Sequence, residues 1–270
     1  MKRIVLIGTA LAVLVGAAAA YAAFNTYSGS KVSFAPKGAG STKSPKIINM
    51  SETLQAGAKQ AGDRAAPLTK IVLKVYGVRT NGNLFPTCTD SKIESNKVKY
   101  ELGCPSKSRI QQGPVNSLLG PASDPSQSQG TACNPYLKVF NGGAKSQTFF
   151  FTTGSHTPNP SKYQCAGLPT GATAPYDGHI AYQGKNWVLT VPLPPDISNK
   201  VANTPGLYAS LIKEVLSPIS ETTKVKGKTR GYMESIACKG KKRPYSITFT
   251  ASKYGNGAPE TQTVSGSAAC

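Results

Sequence analysis

Apolar and polar positions alternate along much of this 270-residue chain, broken every few residues by Gly, Pro or Asn. That pattern predicts strands joined by turns. The first convincing strand is 67–76, where Ile71, Leu73 and Val75 form one period-2 set and Lys70, Val72, Lys74 and Tyr76 the other. The first set is the expected core face. Residues 97–102 alternate again. Residues 136–140 and 147–152 flank Asn141-Gly142-Gly143, the strongest hairpin signal in the chain. Phe149, Phe150 and Phe151 are consecutive, so either both faces of their strand are covered or one ring is exposed. Residues 179–183 and 187–191 form a second hairpin around Gly184-Lys185-Asn186, and Trp187, the only tryptophan, is more naturally core than sugar platform there. Further strands are expected over 223–233 and 245–251, with Gly255-Asn256-Gly257 opening a last turn towards 261–264.

Two stretches depart from this grammar. Residues 113–131 are rich in Pro, Ser, Gln and Gly and read as a long surface loop or an extended connection between sheets. Leu207, Leu211 and Val215 fall at helical spacing, with Thr204 as a cap, Pro205 in the first turn and Pro218 as a stop, so local rules favour a short helix over 207–216. No internal repeat or heptad pattern is present. With 27 Gly and 20 Pro as punctuation, the expected fold is all-β: a disulfide-bonded β-sandwich, Ig-like or jelly-roll-like, with room for one short helix.

The N-terminus opens on Met1-Lys2-Arg3, runs apolar from Ile4 to Ala20 and ends in Ala20-Tyr21-Ala22. A charged segment, an apolar segment and an A-x-A site in that order define a signal peptide over 1–22. The competing reading is an uncleaved anchor, since 4–23 approaches the roughly 20 apolar residues that span a bilayer. Nothing later is apolar enough to span. Residues 23–66, rich in Gly, Ser, Lys and Ala, are expected to wrap the body or stay partly mobile, with one strand-like piece at 31–34, and 67–270 form the sandwich domain.

Six cysteines follow the signal: Cys88, Cys104, Cys133, Cys165, Cys238 and Cys270. An even number in an exported chain implies disulfides. Fifteen connectivities are open to six cysteines, and pairing of sequence neighbours, 88 with 104, 133 with 165 and 238 with 270, is the expected one. No C-x-x-C spacing occurs, so neither a metal site nor a cofactor is expected. The chain is therefore read as secreted or extracellular, with an association with the cell envelope.

Charge adds a partner class. Thirty-one Lys and Arg against 12 Asp and Glu give a formal +19, attractive to polyanions. An exported chain meets anionic wall polymers and lipid headgroups first, and no motif specific for nucleic acid is present. Lys224, Lys226, Lys228 and Arg230 alternate at period 2 and would share one face of a continuous strand. Lys239, Lys241, Lys242 and Arg243 follow in the next turn, with Tyr232 and Tyr245 beside them. These eight charges are the candidate polymer-binding stripe; a solvated edge strand explains the same pattern.

Catalytic patterns are sparse. No nucleophile elbow, P-loop, dinucleotide fingerprint, zincin helix or calcium loop appears. Ser28-Gly29-Ser30-Lys31 matches S-x-x-K by chance in a Ser- and Lys-rich stretch. Asp177-Gly178-His179 reads as a turn and a strand residue, and His156 as a loop residue. No enzyme is expected on this reading.

The segments 84–90, 104–108, 139–143 and 226–235, with Cys238, are similar to a group of exported actinobacterial proteins to which no activity is assigned. The resemblance runs from about Leu68 to Cys270. It implies an extracellular β-sandwich, brings no cofactor or catalytic residue, and favours a strand over 207–216 against the local helix signal. The function expected is non-enzymatic binding or structural attachment to anionic wall polymer or lipid through the basic stripe. One alternative is an apolar-ligand carrier with a pocket between sheets, hinted at by Phe149, Phe150 and Phe151. The other is an extracellular hydrolase assembled from distant residues.

Overall fold

The computed structural model describes residues 24–96, 100–166, 168, 171–218, 221–252 and 258–270. The signal peptide expected over 1–22, the turn expected at 255–257 and the start of the alternating stretch at 97–102 lie outside them. Eleven strands run in one antiparallel path: β1 (Lys31–Ala35), β2 (Asn49–Gln55), β3 (Leu68–Tyr76), β4 (Arg109–Pro121), β5 (Tyr136–Gly143), β6 (Ser146–Thr152), β7 (Tyr176–Gln183), β8 (Asn186–Pro192), β9 (Leu207–Pro218), β10 (Lys242–Ala251) and β11 (Glu260–Ala269). Their spatial order is β11-β10-β3-β8-β7-β6-β5-β4-β9-β2-β1, with Thr131–Cys133 pairing beside β4.

The two ends of this path meet. β11 and β1 come within 8 Å between Cα atoms. Tyr27, just ahead of β1, stacks on Phe249 of β10 with ring centroids 4.0 Å apart. The layers of the expected sandwich are thus halves of one curled sheet whose inner face forms a shared core. Ile71, Leu73 and Val75 of β3 lie on that face as their alternation predicts, beside Leu189 and Val191 of β8 and Ile247 and Phe249 of β10. Trp187 is buried there too. Residues 24–66 are part of the body, because they supply β1 and β2.

β5 and β6 are covered on both faces. Phe149 joins the inner core, while Phe150 packs outward on Phe140, Ile93 and Cys88. Their cover is the loop closed by the Cys88–Cys104 disulfide, which carries the short helix α1 (Asp90–Ser95), capped by the Thr89 side chain. Tyr100–Gly103 within it is a 3-10 turn where alternation had suggested a strand. Beneath it the buried Lys138 and Glu101 form an ion pair, and Lys138 Nζ also donates to the His156 carbonyl at 2.7 Å. Cys133–Cys165 and Cys238–Cys270 complete the expected disulfide pairing.

Three further expectations are corrected. Of the expected loop or extended connection at 113–131, residues 113–121 belong to the long strand β4, while 122–130 lie outside the strands. In β4 inward Gln111 donates to the Met50 carbonyl at 3.1 Å and inward Ser117 to the Cys133 carbonyl at 2.6 Å, so polar side chains are buried with partners. Gly113 belongs to that strand because a Cβ there would lie 1.8 Å from the Val215 carbonyl oxygen of β9. Asn141 is no turn residue; the hairpin turns at 144–145. Asn141 is fully buried, and its amide donates to the carbonyls of Gly82, Phe85 and Pro86 at 2.8–3.2 Å. Residues 207–218 are strand β9, as the resemblance favoured.

The strand at 223–233 is in fact a hairpin of Thr222–Val225 with Lys228–Gly231. Lys226 and Gly227 take φ of 49° and 80° at its tip, the pair of positive values that a type I′ turn needs.

Candidate functional site: an internal cavity with a buried carboxyl pair

The inner face of the curled sheet does not close completely on itself. A cavity of about 600 Å³ lies between β2, β3, β4, β5, β6, β7, β8 and β9, within the roughly 300–1,000 Å³ of small-molecule pockets. Its wall is mostly aliphatic and aromatic, including Leu73, Leu137, Phe149, Phe151, Leu189 and Leu211. Tyr176 of β7 lies between the aromatic pair, with centroids 5.5 Å from Phe149 and 6.2 Å from Phe151. The short helix α2 (Pro195–Ser198) and the turn Val201–Asn203 cover one side. Ala174, Ala202 and Asn203 belong to the wall yet are exposed, which marks the mouth.

Two glutamates interrupt the apolar wall. In β2 the inward set is Met50, Glu52 and Leu54, so Glu52 occupies a core position by parity. In β9 the inward residues Ala209 and Leu211 would by alternation be followed by Lys213 and Val215. A bulge between Leu211 and Lys213 adds one residue and reverses the parity. Ile212 is thereby exposed, and Glu214 and Leu216 turn inward. Glu52 pairs with Leu216 and Glu214 with Leu54, so the two carboxyls are diagonal neighbours on one face.

Burial raises both carboxyls, Glu52 to about 7 and Glu214, with the charge of Glu52 added, to about 8. Tyr176 is held well above its ordinary value by burial and by the charges of Glu214 and Asp196. No Lys, Arg or His lines the cavity among the described residues. Nor is there a group of three or more His, Cys, Asp and Glu able to hold a metal ion among them.

The basic residues are arranged differently from the sequence expectation. Lys224, Lys226 and Lys228 are exposed, but on two strands and a tip instead of one continuous strand. Arg230 is half-buried against Glu234, which it contacts at 2.7 Å through Nε, and Arg79 contacts the same carboxylate at 2.9 Å. Lys239, Lys241 and Lys242 are exposed. Arg243 is withdrawn: the residue is 1% exposed, and its guanidinium sits 4.7 Å over the Phe34 ring and donates to Ser235 Oγ at 2.5 Å. Tyr232 is buried edge-on to Phe85, which leaves Tyr245 alone near the lysines. Asp177 accepts from Thr148 Oγ1 at 2.8 Å while His179 is exposed, and the His156 ring packs edge-on to Tyr100.

Glu52 and Glu214 escaped the sequence reading for different reasons. Glu52 carried a usable signal, a carboxylate at the apolar parity of Met50 and Leu54. Glu214 did not, because nothing local announces the bulge. The chain matches no protein-family model, no curated protein and no solved structure.

Proposed function

We propose that this is an exported, non-enzymatic carrier that holds an amphiphilic or apolar small molecule inside its curled sheet. The observation that carries the reading is the cavity itself, walled by Phe149, Phe151, Leu137 and Leu211 and open beside Ala174 and Ala202. The signal peptide expected over 1–22 and the three disulfides support an extracellular place of work. No helix among the described residues is long and apolar enough to cross a membrane. A sugar-cleaving role for the two carboxyls fits less well, since a glycosidase needs a hydrogen-bonding cleft around its acid pair, and this wall is largely hydrocarbon.

The test is solvent extraction and mass spectrometry of oxidised protein lacking residues 1–22, purified from its native secretion route. Co-purifying amphiphile is expected, and it should fall several-fold in Leu211→Trp, which fills the cavity. Ligand-free protein that also fails to take up a fluorescent fatty probe would refute the carrier reading.

The exposed lysines favour a second, compatible role. Lys224, Lys226 and Lys228 project at one hairpin, with Lys239, Lys241 and Lys242 exposed in the turn that opens β10. We infer that they hold the carrier to anionic wall polymer or lipid headgroups. Retention on isolated envelopes is then steeply salt-dependent, and Lys224→Glu, Lys226→Glu and Lys228→Glu together abolish it. Retention unchanged by those substitutions would rule the hairpin out.

A further inference from the structure

A purely apolar cargo needs no ionisable wall, yet two carboxyl groups stand in this one. Glu52 and Glu214 are each only 8% exposed and both line the cavity. The ion pairs of the described residues are Arg79–Glu234, Lys138–Glu101 and Arg230–Glu234, which leave both cavity glutamates out. Neither carboxyl has a hydrogen-bond donor among the described residues. On the same wall Gln111 donates to the Met50 carbonyl and Ser117 to the Cys133 carbonyl. A buried carboxylate without donor or counter-charge is expensive. Here the wall supplies no cation, for its other ionisable groups are Asp196 and the hydroxyls of Tyr100 and Tyr176.

A ligand can supply the missing donor. We propose that the cavity is selective for a long-chain primary amine, its hydrocarbon body against the Phe149, Phe151 and Leu137 wall and its ammonium between Glu52 and Glu214. This rests on the carrier reading and names its cargo by class. An ammonium brings three N–H donors and the only positive charge in the cavity. The carboxylate of a fatty acid brings one more negative charge into a wall without a cation. The exterior pulls the opposite way, because a chain of formal charge +19 attracts fatty anions and repels amines. A preference for the amine must then originate inside.

Binding also moves protons. Burial and the charge of Glu52 keep Glu214 protonated to about 8 without ligand, and burial keeps Glu52 protonated to about 7. An ammonium between them favours the ionised forms. At pH near 7 uptake of the amine therefore releases protons from the pair, whereas a neutral alcohol of equal length releases none. Asp196, Tyr100 and Tyr176 line the same space, and none offers a positive charge that would cancel the effect.

The experiment is calorimetric titration of the oxidised protein lacking residues 1–22 with dodecylamine, dodecanol and dodecanoate, below micellar concentrations and in two buffers of different ionisation enthalpy. Dodecylamine is expected to bind at least about tenfold tighter than dodecanol, with proton release, and dodecanoate more weakly than either. The double variant Glu52→Gln, Glu214→Gln should lose the amine preference and the proton release; dodecanol binding that persists in it shows that the cavity is intact. Equal affinity of the three ligands for the unmodified protein, tighter binding of dodecanoate, or an amine preference surviving in the double variant overturns the amine proposal and leaves the carrier standing. Failure of all three to bind removes the carrier reading itself.

Discussion

Glu52 and Glu214 stand one diagonal step apart on β2 and β9, facing one cavity, because the bulge at Ile212 turns Glu214 inward. Their protons are held more tightly in the folded chain than in the unfolded one, where the ordinary value is 4.5. The stability they lend is therefore complete below about 4.5 and is lost as pH climbs through about 7 and about 8. Urea unfolding across pH 5 to 9 should show a falling alkaline limb. Glu214→Gln should flatten it and raise stability at pH 9 by about 1–3 kcal/mol. An alkaline limb unaltered by this substitution would place the titration elsewhere.

Glu234 supplies the opposite limb. Burial alone would push its carboxyl up, but hydrogen bonds from the Arg230 and Arg79 guanidiniums, with the Asn81 amide beside them, prevail and hold it at about 2. Its contribution is present above 4.5 and is lost as pH falls towards 2. Glu234→Gln should cost about 2–3 kcal/mol at pH 7 and flatten the acid limb only. The two glutamine substitutions thus act on separate sides of the stability profile, which urea midpoints at pH 3, 5, 7 and 9 resolve.

How far the sequence could go is clear from particular residues. Ile71, Leu73 and Val75 were legible because β3 is regular and its inner face wholly apolar. The cysteine pairing and the hairpin at 184–185 were legible because each depends on neighbours in the chain. β4 was hidden by Gln111, Gly113 and Ser117, whose burial depends on the partners Met50, Val215 and Cys133, brought from far along the sequence. β9 imitated a helix because Leu207, Leu211 and Val215 are four apart, a spacing that suits a helix and a strand alike, and only the bulge turns Glu214 inward in place of Val215. The basic stripe looked continuous because Lys226 keeps period 2 through a turn that only its positive φ reveals.

Arg243 illustrates that last difficulty at a single side chain. In sequence it ends a basic run; in the fold it is the buried member, stacked over Phe34 and bonded to Ser235. Burial lowers its pKa, so it acts as packing more than as surface charge. Arg243→Ala should cost about 2–4 kcal/mol of stability. Lys241→Glu with Lys242→Glu should stay within about 0.5 kcal/mol. Equal costs in guanidinium unfolding would return Arg243 to the surface set.

The Cys88–Cys104 loop should be coupled to the ion pair beneath it. Closing a loop of this length contributes about 3 kcal/mol, and this loop also covers Phe150 and brings Glu101 to Lys138. With the disulfide intact, Glu101→Gln leaves the Lys138 ammonium, 8% exposed, with the His156 carbonyl but no counter-charge, and should cost about 3–5 kcal/mol. With Cys88→Ser and Cys104→Ser the loop can lift, and water can then reach the ammonium. The same Glu101→Gln change should then cost about 1 kcal/mol or less. A double-mutant cycle by urea unfolding measures the difference as a coupling of about 2 kcal/mol or more. Additive costs would mean that the loop stays seated without its disulfide, held by the packing of Ile93 and Tyr100 on Phe150 and its other contacts with the sheet.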